Sequence, residues 1–491
     1  MPVKNLIAIL LAAIVSLVCY ETAQRNRYAA TFVEAMEIVE HEALEEYSQR
    51  ELFNAAMNGM LAQIDEHSAF IDPEMYPAFQ EDLNQEFAGI GITASIDPRT
   101  QELIVLSPTV GSPAYKAGMQ AGDVITKVDG APTDGWNLEK SVEELRGKPG
   151  TKVALTLRRA DQAEPINVTL TRQIILIDSV LGDTRNPDGT WNFYVEGYPY
   201  IGYVRLTSFG ERSTAELRDT LKATVPKCDA LILDLRDNAG GLLGAAVEIA
   251  DMFLDGGQPI VSTRGRSGKV REEYAARTDK TLVPPQMPVV VLINRFSASA
   301  AEILSACLQD HGRAIVIGER SWGKGTVQNV IEMENGKSVM KLTTASYWRP
   351  SGKNIHRRRD MTEEDDWGVR PNSGMDIELT TEQFQTLAVA RRKRDYPGAL
   401  SEDRVSQDET KTESSTNNPP EQEGASTTSV VDQSAPEPEN GTAPGPNDSK
   451  DDSEFTPETV TGEDLLEVDP HLQRAIEVIN ERLGRAVVTA P

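Results

Sequence analysis

The chain is poor in the side chains on which most hydrolytic and redox chemistry depends. Its 491 residues include 3 cysteines and 5 histidines. Cys19, Cys228 and Cys307 cannot form a disulfide framework, and their spacing matches no zinc site. The histidines at 41, 67, 311, 356 and 471 are scattered, and His41-Glu42 lacks the second histidine of a helical zinc-protease motif. No metal and no organic cofactor is expected. Positive charge is also scarce: 49 Lys and Arg against 76 Asp and Glu leave a net −27, which argues against a nucleic-acid partner. Long apolar runs are nearly absent as well. The exception is Leu6 to Tyr20, uncharged and preceded by Lys4. At fifteen residues it falls short of the ~20 that span a bilayer comfortably. It ends without a small-x-small cleavage site, and Val18 spoils a lipoprotein reading of Cys19. The expectation is therefore an exported chain with residues 1–23 as an uncleaved membrane anchor, preferred over a cleaved signal peptide.

What is present falls into zones. Residues 24–84 carry apolar side chains three to five apart, among them Phe32, Met36, Val39, Leu52, Met57, Leu61 and Ile64, and predict two or three helices. Residues 85–177 change to short alternating strands broken by glycine, with one helical stretch over Trp136 to Leu145, and predict a small β-rich domain. Residues 178–396 alternate strands and helices. Ala230-Leu-Ile-Leu-Asp-Leu235 and Pro288-Val-Val-Val-Leu-Ile-Asn294 are apolar enough to be buried on both faces, which predicts a layered α/β core. Residues 397–462 are rich in Ser, Thr, Pro, Glu and Asp. Residues 401–460 alone carry 15 acids and 3 bases, so this stretch is expected to be a disordered acidic insertion. Residues 463–491 regain an amphipathic pattern, with Pro470 opening a helix. The fold class is α/β multidomain.

Chemistry is concentrated in two segments, Asn294-Arg-Phe-Ser-Ala-Ser-Ala-Ala-Glu302 and Gly318-Glu-Arg-Ser-Trp-Gly-Lys-Gly-Thr-Val-Gln328. Ser299-Ala-Ala-Glu302 is a capping box, and a serine capping a helix just beyond a buried strand also sits where backbone N–H groups favour negative charge. Capping and nucleophilic roles for Ser299 are compatible. A serine needs a base within reach, and a lysine serves only when apolar surroundings or a nearby cation lower its affinity for the proton. Lys324, between two glycines and close to Trp322 and Val327, suits that role, although an exposed loop lysine is the plainer reading. Gln328, four residues on, could hold the lysine without adding charge. Gly318-x-x-x-x-Gly323-Lys324 also approaches a phosphate-binding loop. Gly325 replaces the required Ser or Thr, and Thr326 to Ile331 reads as strand where that motif needs helix. Asp234-Leu-Arg-Asp-Asn-Ala-Gly-Gly241 follows a buried strand and could offer backbone N–H groups to an oxyanion beside that of Ala300, with Gly240 and Gly241 left as alternatives. Phe87-Ala-Gly-Ile-Gly-Ile92 could take the end of an extended peptide through Gly89, Ile90, Gly91 and Ile92.

These motifs together resemble the C-terminal processing peptidases, or tail-specific proteases, of the S41 serine peptidase family. The resemblance runs from Gly59-Met-Leu-Ala-Gln-Ile-Asp-Glu-His-Ser68 through Phe87 to Ile92, Ser112-Pro-Ala and Ala121-Gly-Asp-Val-Ile125. It continues through Asp234 to Gly241, Ser297 to Glu302 and Gly323 to Gln328, ending at Pro350-Ser-Gly-Lys-Asn-Ile355. It implies that 85–177 is a PDZ domain and 178–396 a peptidase core of the layered ClpP/crotonase type. It further implies Ser299 as nucleophile in preference to Ser297, Lys324 as general base, Gln328 as the residue orienting the lysine, and Gly240 or Gly241 with Ala300 as the oxyanion hole. The implied partners are protein or peptide substrates with apolar C-termini, and a second copy of the chain through the N-terminal helices. Arg295-Phe296, Ala239 and Trp322 depart from the family pattern without removing a catalytic group. A non-catalytic PDZ adaptor retaining the fold is the alternative.

Overall fold

The computed structural model describes Leu10 and residues 13–16, 27–97, 99–186, 188–396 and 465–485. Most of the expected anchor at 1–23 and all of the acidic stretch at 397–462 lie outside the described residues. Among the described residues no helix is long and apolar enough to cross a membrane. The chain forms two compact units, Met1–Pro77 with Gln328–Thr343, and Ala78–Val327 with Thr344–Pro491.

The first unit contains helices α1 (Arg27–Glu42) and α2 (Gln49–Ala62) and the short strand β1 (Ala69–Ile71). α2 begins on a capping box: Ser48 accepts from the Glu51 N–H while the Glu51 side chain accepts from the N–H of Ser48. Phe53 and Phe70 meet edge to face at 5.6 Å and tie α2 to β1.

In the second unit, residues 86–176 build the β-rich domain. Strand β2 (Glu86–Gly89) enters, and the main sheet runs β3 (Ile92–Ile96), β4 (Leu103–Pro108), β5 (Val124–Val128), β6 (Lys152–Arg158) and β7 (Ile166–Thr171) in that order. Helix α3 (Leu138–Leu145), capped by Asn137, lies against it, and β8 (Gln173–Leu176) pairs back with β2 to close the domain. Alternate residues of β6 are buried (Val153, Leu155, Leu157), the period-2 pattern of a sheet with one wet face.

The core sheet has parallel strands β9 (Tyr198–Leu206), β10 (Ala230–Asp234), β11 (Val289–Ile293) and β12 (Ile315–Gly318) in that order. Both faces are covered, which is why these strands read as continuous apolar runs. Leu231, Leu233, Val289, Val291 and Val316 face helices α4 (Ser213–Thr224), α5 (Leu243–Asp251) and α6 (Ala300–Asp310). Ile201, Tyr203, Ile232, Val290, Leu292 and Ile317 face the other way. After β12 the chain forms β13 (Thr326–Met333) and β14 (Ser338–Trp348), then α7 (Thr381–Asp395). The second face is closed by α8 (Pro470–Leu483), which contributes Leu472, Ala475, Ile476 and Ile479. The sequence beyond the acidic stretch thus belongs to the core of the second unit. In the first unit, β1 pairs antiparallel with β14 at Ala69 to Lys341 and Ile71 to Val339.

Candidate active site

Three loops leave the C-terminal ends of β10, β11 and β12, where open α/β sheets build their sites. The first, 235–242, is held from below. Arg236 is buried between Asp234 (2.6 Å) and Asp469 (2.8 Å), and Tyr203 donates to Asp234 at 2.6 Å. Burial opposes charge on Asp234, yet the Arg236 guanidinium outweighs it and holds the carboxyl well below the usual range. Asp469 also caps α8 through the Leu472 N–H, so the C-terminal helix and the first loop share one ion-pair network.

The second loop, 294–299, carries both serines, and they differ. Ser297 is fully buried; its hydroxyl donates to the Leu235 carbonyl at 2.7 Å and accepts from the Asn294 N–H at 3.0 Å. It pins one loop to the other. Ser299 is 7% exposed and sits at φ 55°, ψ −113° at the head of α6. For a residue with a Cβ this conformation costs about 1–3 kcal/mol, and such strain collects at functional sites. Burial pushes the phenol of Tyr347 on β14 up to about 12, with the neighbouring Ser299 hydroxyl pulling the other way.

The third loop, 319–325, is joined to the second by one carboxylate. Glu302 is fully buried. Its Oε2 accepts from the backbone N–H of Ser299 at 2.8 Å and of Lys324 at 2.9 Å. Its Oε1 accepts from the Gly323 N–H at 2.7 Å and the Ser321 hydroxyl at 2.6 Å. Burial pushes Glu302 up to about 7 against the downward pull of these four bonds. Ser299 and Lys324, 25 positions apart in sequence, are each one hydrogen bond from the same oxygen atom. Lys324 is half-buried, whereas Trp322 is 39% exposed and the indole of Trp367 is covered by Arg320 at 3.3 Å.

The glycines separate as well. Gly240, at φ 104°, lies so close to the second loop that a Cβ there would stand 2.7 Å from the Ser299 Cβ and 2.9 Å from the Ala300 nitrogen. Its own N–H is taken by the Asn238 side chain at 2.8 Å. Among the described residues the N–H of Gly241, at φ 138°, has no acceptor, and neither has that of Ala300 at the first turn of α6.

Gln328 lies on β13 in the first unit and donates through Nε2 to the Thr343 hydroxyl at 3.1 Å. In the β-rich domain, Gly89, Ile90, Gly91 and Ile92 all line a cleft of about 1630 Å³, together with Leu138, Val142 and Leu145 of α3. Ile90 is itself core, and its carbonyl accepts from the Ala114 N–H. The Gly91 carbonyl accepts from Thr109 and Ser112, and its φ of 78° with Ser112 packed on the α-carbon admits only glycine. Among the described residues no cluster of His, Cys, Asp or Glu could hold a metal ion.

Glu302 beyond its capping pattern, and Tyr347, were not anticipated from sequence. Their partners lie some twenty or more positions away, and no local pattern signals them.

The family description "Peptidase family S41" matches residues 200–372, and "PDZ domain" matches residues 104–159. A carboxy-terminal-processing protease of Bartonella bacilliformis is 37% identical over 342 residues, covering 68% of this chain and 74% of that protein. A carboxyl-terminal-processing protease of Synechocystis is 35% identical over 330 residues, covering 65% of this chain and 73% of that one. Among solved structures, a photosystem II D1 C-terminal processing protease is 28% identical, covering 71% of this chain and 93% of that one, at a TM-score of 0.39.

Proposed function

The chain belongs to peptidase family S41, the C-terminal processing serine proteases, and on that footing we propose that Ser299 is its nucleophile and Lys324 its general base. Ser299 Oγ attacks the scissile carbonyl while the Lys324 amine takes its proton, then returns it to the leaving amine. The resulting acyl-enzyme is released by water. The N–H groups of Ala300 and Gly241 receive the oxyanion. Gly241 is preferred to Gly240 because the Gly240 N–H already serves Asn238. Gln328 orients the lysine.

One observation carries the reading: the backbone amides of Ser299 and Lys324 bind the same buried carboxylate oxygen, whereas the rival hydroxyl of Ser297 is committed to the Leu235 carbonyl. The test is cleavage of an unfolded protein with an apolar C-terminus. Ser299→Ala and Lys324→Ala each abolish it, and cleavage surviving in either variant contradicts the assignment. The pH-rate profile shows an essential base titrating well below free lysine.

Substrates are proteins or peptides. The finer reading is that the PDZ domain captures an apolar C-terminal tail along β3 and α3, with its carboxylate toward Gly89 to Ile92, and presents the chain upstream for cleavage. The apolar run at Leu6 to Tyr20 supports export with anchoring at the membrane, and hence action outside the cytoplasm. Tyr28, Phe32, Val33 and Ile38, exposed on α1, support association of two copies through that helix.

A further inference from the structure

The cleft that takes in Gly89 to Ile92 is not built by the PDZ domain alone. The core supplies a second part of its lining, with Asp178, Arg185, Trp191, Arg205 and Arg212 among the residues. Arg185 and Trp191 are cross-strand partners where Thr184–Arg185 pairs antiparallel with Trp191–Asn192, and the guanidinium lies over the indole at 3.7 Å. The turn between these strands leans on the PDZ domain. A Cβ on Gly189 would stand 2.8 Å from Cγ2 of Val110, and the neighbouring Thr109 N–H donates to the Gly91 carbonyl. Arg185 Nη1 donates to the Gly189 carbonyl at 2.7 Å, which ties its side chain to that turn.

Arg185 differs from the other cations of the cleft. Arg146 pairs with Glu81 at 3.4 Å, Arg205 with Asp395 at 2.7 Å and Arg212 with Glu216 at 2.9 Å. Among the described residues Arg185 has no acid at ion-pair distance, and its bond to Gly189 occupies Nη1 alone. Nε and Nη2 are left, and these two N–H groups form the side-on fork that fits both oxygens of a carboxylate. The side chain is partly buried. Burial pushes the guanidinium down from its ordinary value, with Asp395 and Asp178 pulling the other way from longer range. A partly buried charge of this kind gains from a ligand that brings the opposite one.

A tail added along β3 turns alternate side chains into the apolar groove beside α3 and the others away from it, toward the core lining. With the terminal residue and the third from the end in the groove, the second and fourth face outward. We propose that Arg185 binds an acidic side chain at one of those outward positions, so that the enzyme selects tails that are apolar at the end and acidic just before it. The proposal rests on the reading that the PDZ domain captures the substrate tail.

The experiment is fluorescence anisotropy on the full chain carrying Ser299→Ala, which prevents turnover. The probes are labelled peptides with the same apolar C-terminal residue and Glu, Gln or Lys at both the second and fourth positions from the end. With Arg185 present, the Glu peptide binds about tenfold more tightly than the Gln peptide, and the Lys peptide most weakly. Arg185→Gln removes the difference, Arg185→Glu reverses it in favour of Lys, and melting midpoints confirm that each variant is folded. Equal binding of the Glu and Gln peptides with Arg185 present overturns the proposal whatever the variants do, and so does a Glu preference that survives Arg185→Gln. If Arg185→Gln weakens all three peptides equally but leaves their C-terminally amidated forms unaffected, Arg185 holds the terminal carboxylate and the proposal is also overturned. Adding Val142→Glu separates this outcome from failure of the groove reading. Unchanged binding of every peptide removes the groove and this proposal together, whereas general weakening without a Glu preference removes this proposal alone.

Discussion

The loops at the strand ends of the core and the groove of the PDZ domain, on the proposed reading the places of cleavage and of capture, have opposite economies of polar groups. At the strand ends, buried polar atoms converge: one carboxylate serves four donors, a serine is held at strained φ and ψ, and an arginine is clamped between two aspartates. In the groove, the carbonyls of Ile90 and Gly91 are spent within the domain, and Leu138, Val142 and Leu145 supply an apolar wall. Chemistry thus depends on a few irreplaceable atoms fixed to a rigid sheet. Recognition depends on shape and on backbone edges that many sequences could supply.

The sharpest break of this contrast comes from the dyad. Ser299→Ala or Lys324→Ala lowers kcat by on the order of 10⁴ or more, and the double variant is no worse than either single one, because residues acting as a unit are not additive. Steady-state kinetics on a peptide substrate reads this directly. Next in size is Glu302→Ala. It leaves four donors unsatisfied in a dry pocket and separates the second loop from the third, so kcat falls by about 10²-fold or more and the melting midpoint drops. The groove answers differently. Val142→Glu, on the wall of the cleft, raises KM by roughly tenfold with kcat nearly unchanged, the signature of lost binding without lost transition-state stabilisation. A kcat effect of that variant exceeding its KM effect would erase the distinction between the two regions.

The smallest effect is one of pH. The folded Glu302 carboxyl lies at about 7, above the ~4.3 of an unfolded glutamate. The folded state therefore holds a proton that the unfolded state has given up across that interval. The contribution of Glu302 to stability is fully present below the unfolded value and is lost as pH rises through about 7. Melting midpoints of Ser299→Ala and of the same protein carrying Glu302→Gln, compared from pH 5 to pH 8, narrow in separation as pH rises. A gap that widens means the four donors hold the carboxylate ionised throughout.

The same contrast explains what could be read from sequence. β10 and β11 were legible because burial on both faces forces unbroken apolar runs, and α6 and α8 because their caps and stops are local. Ser299 and Lys324 stood out in the sequence through their short motifs, and the structure brings the backbone N–H of each to Glu302. Glu302 was legible only as a cap: one of its bonds is to a residue three positions away, while the others reach across to Ser321, Gly323 and Lys324. The place of Tyr347 beside Ser299 depends on packing across a long separation, which periodicity does not encode. The choice between Gly240 and Gly241 turned on a single N–H, and only the position of Asn238 reveals which one is spent.

Reaction of the full chain with a serine-directed fluorophosphonate, followed by peptide mass mapping, tests the central claim most directly. The account predicts one adduct, on Ser299, formed much more slowly in Lys324→Ala and unaffected in rate by Ser297→Thr. An adduct on Ser297, or labelling of Ser299 at the same rate without Lys324, would contradict it.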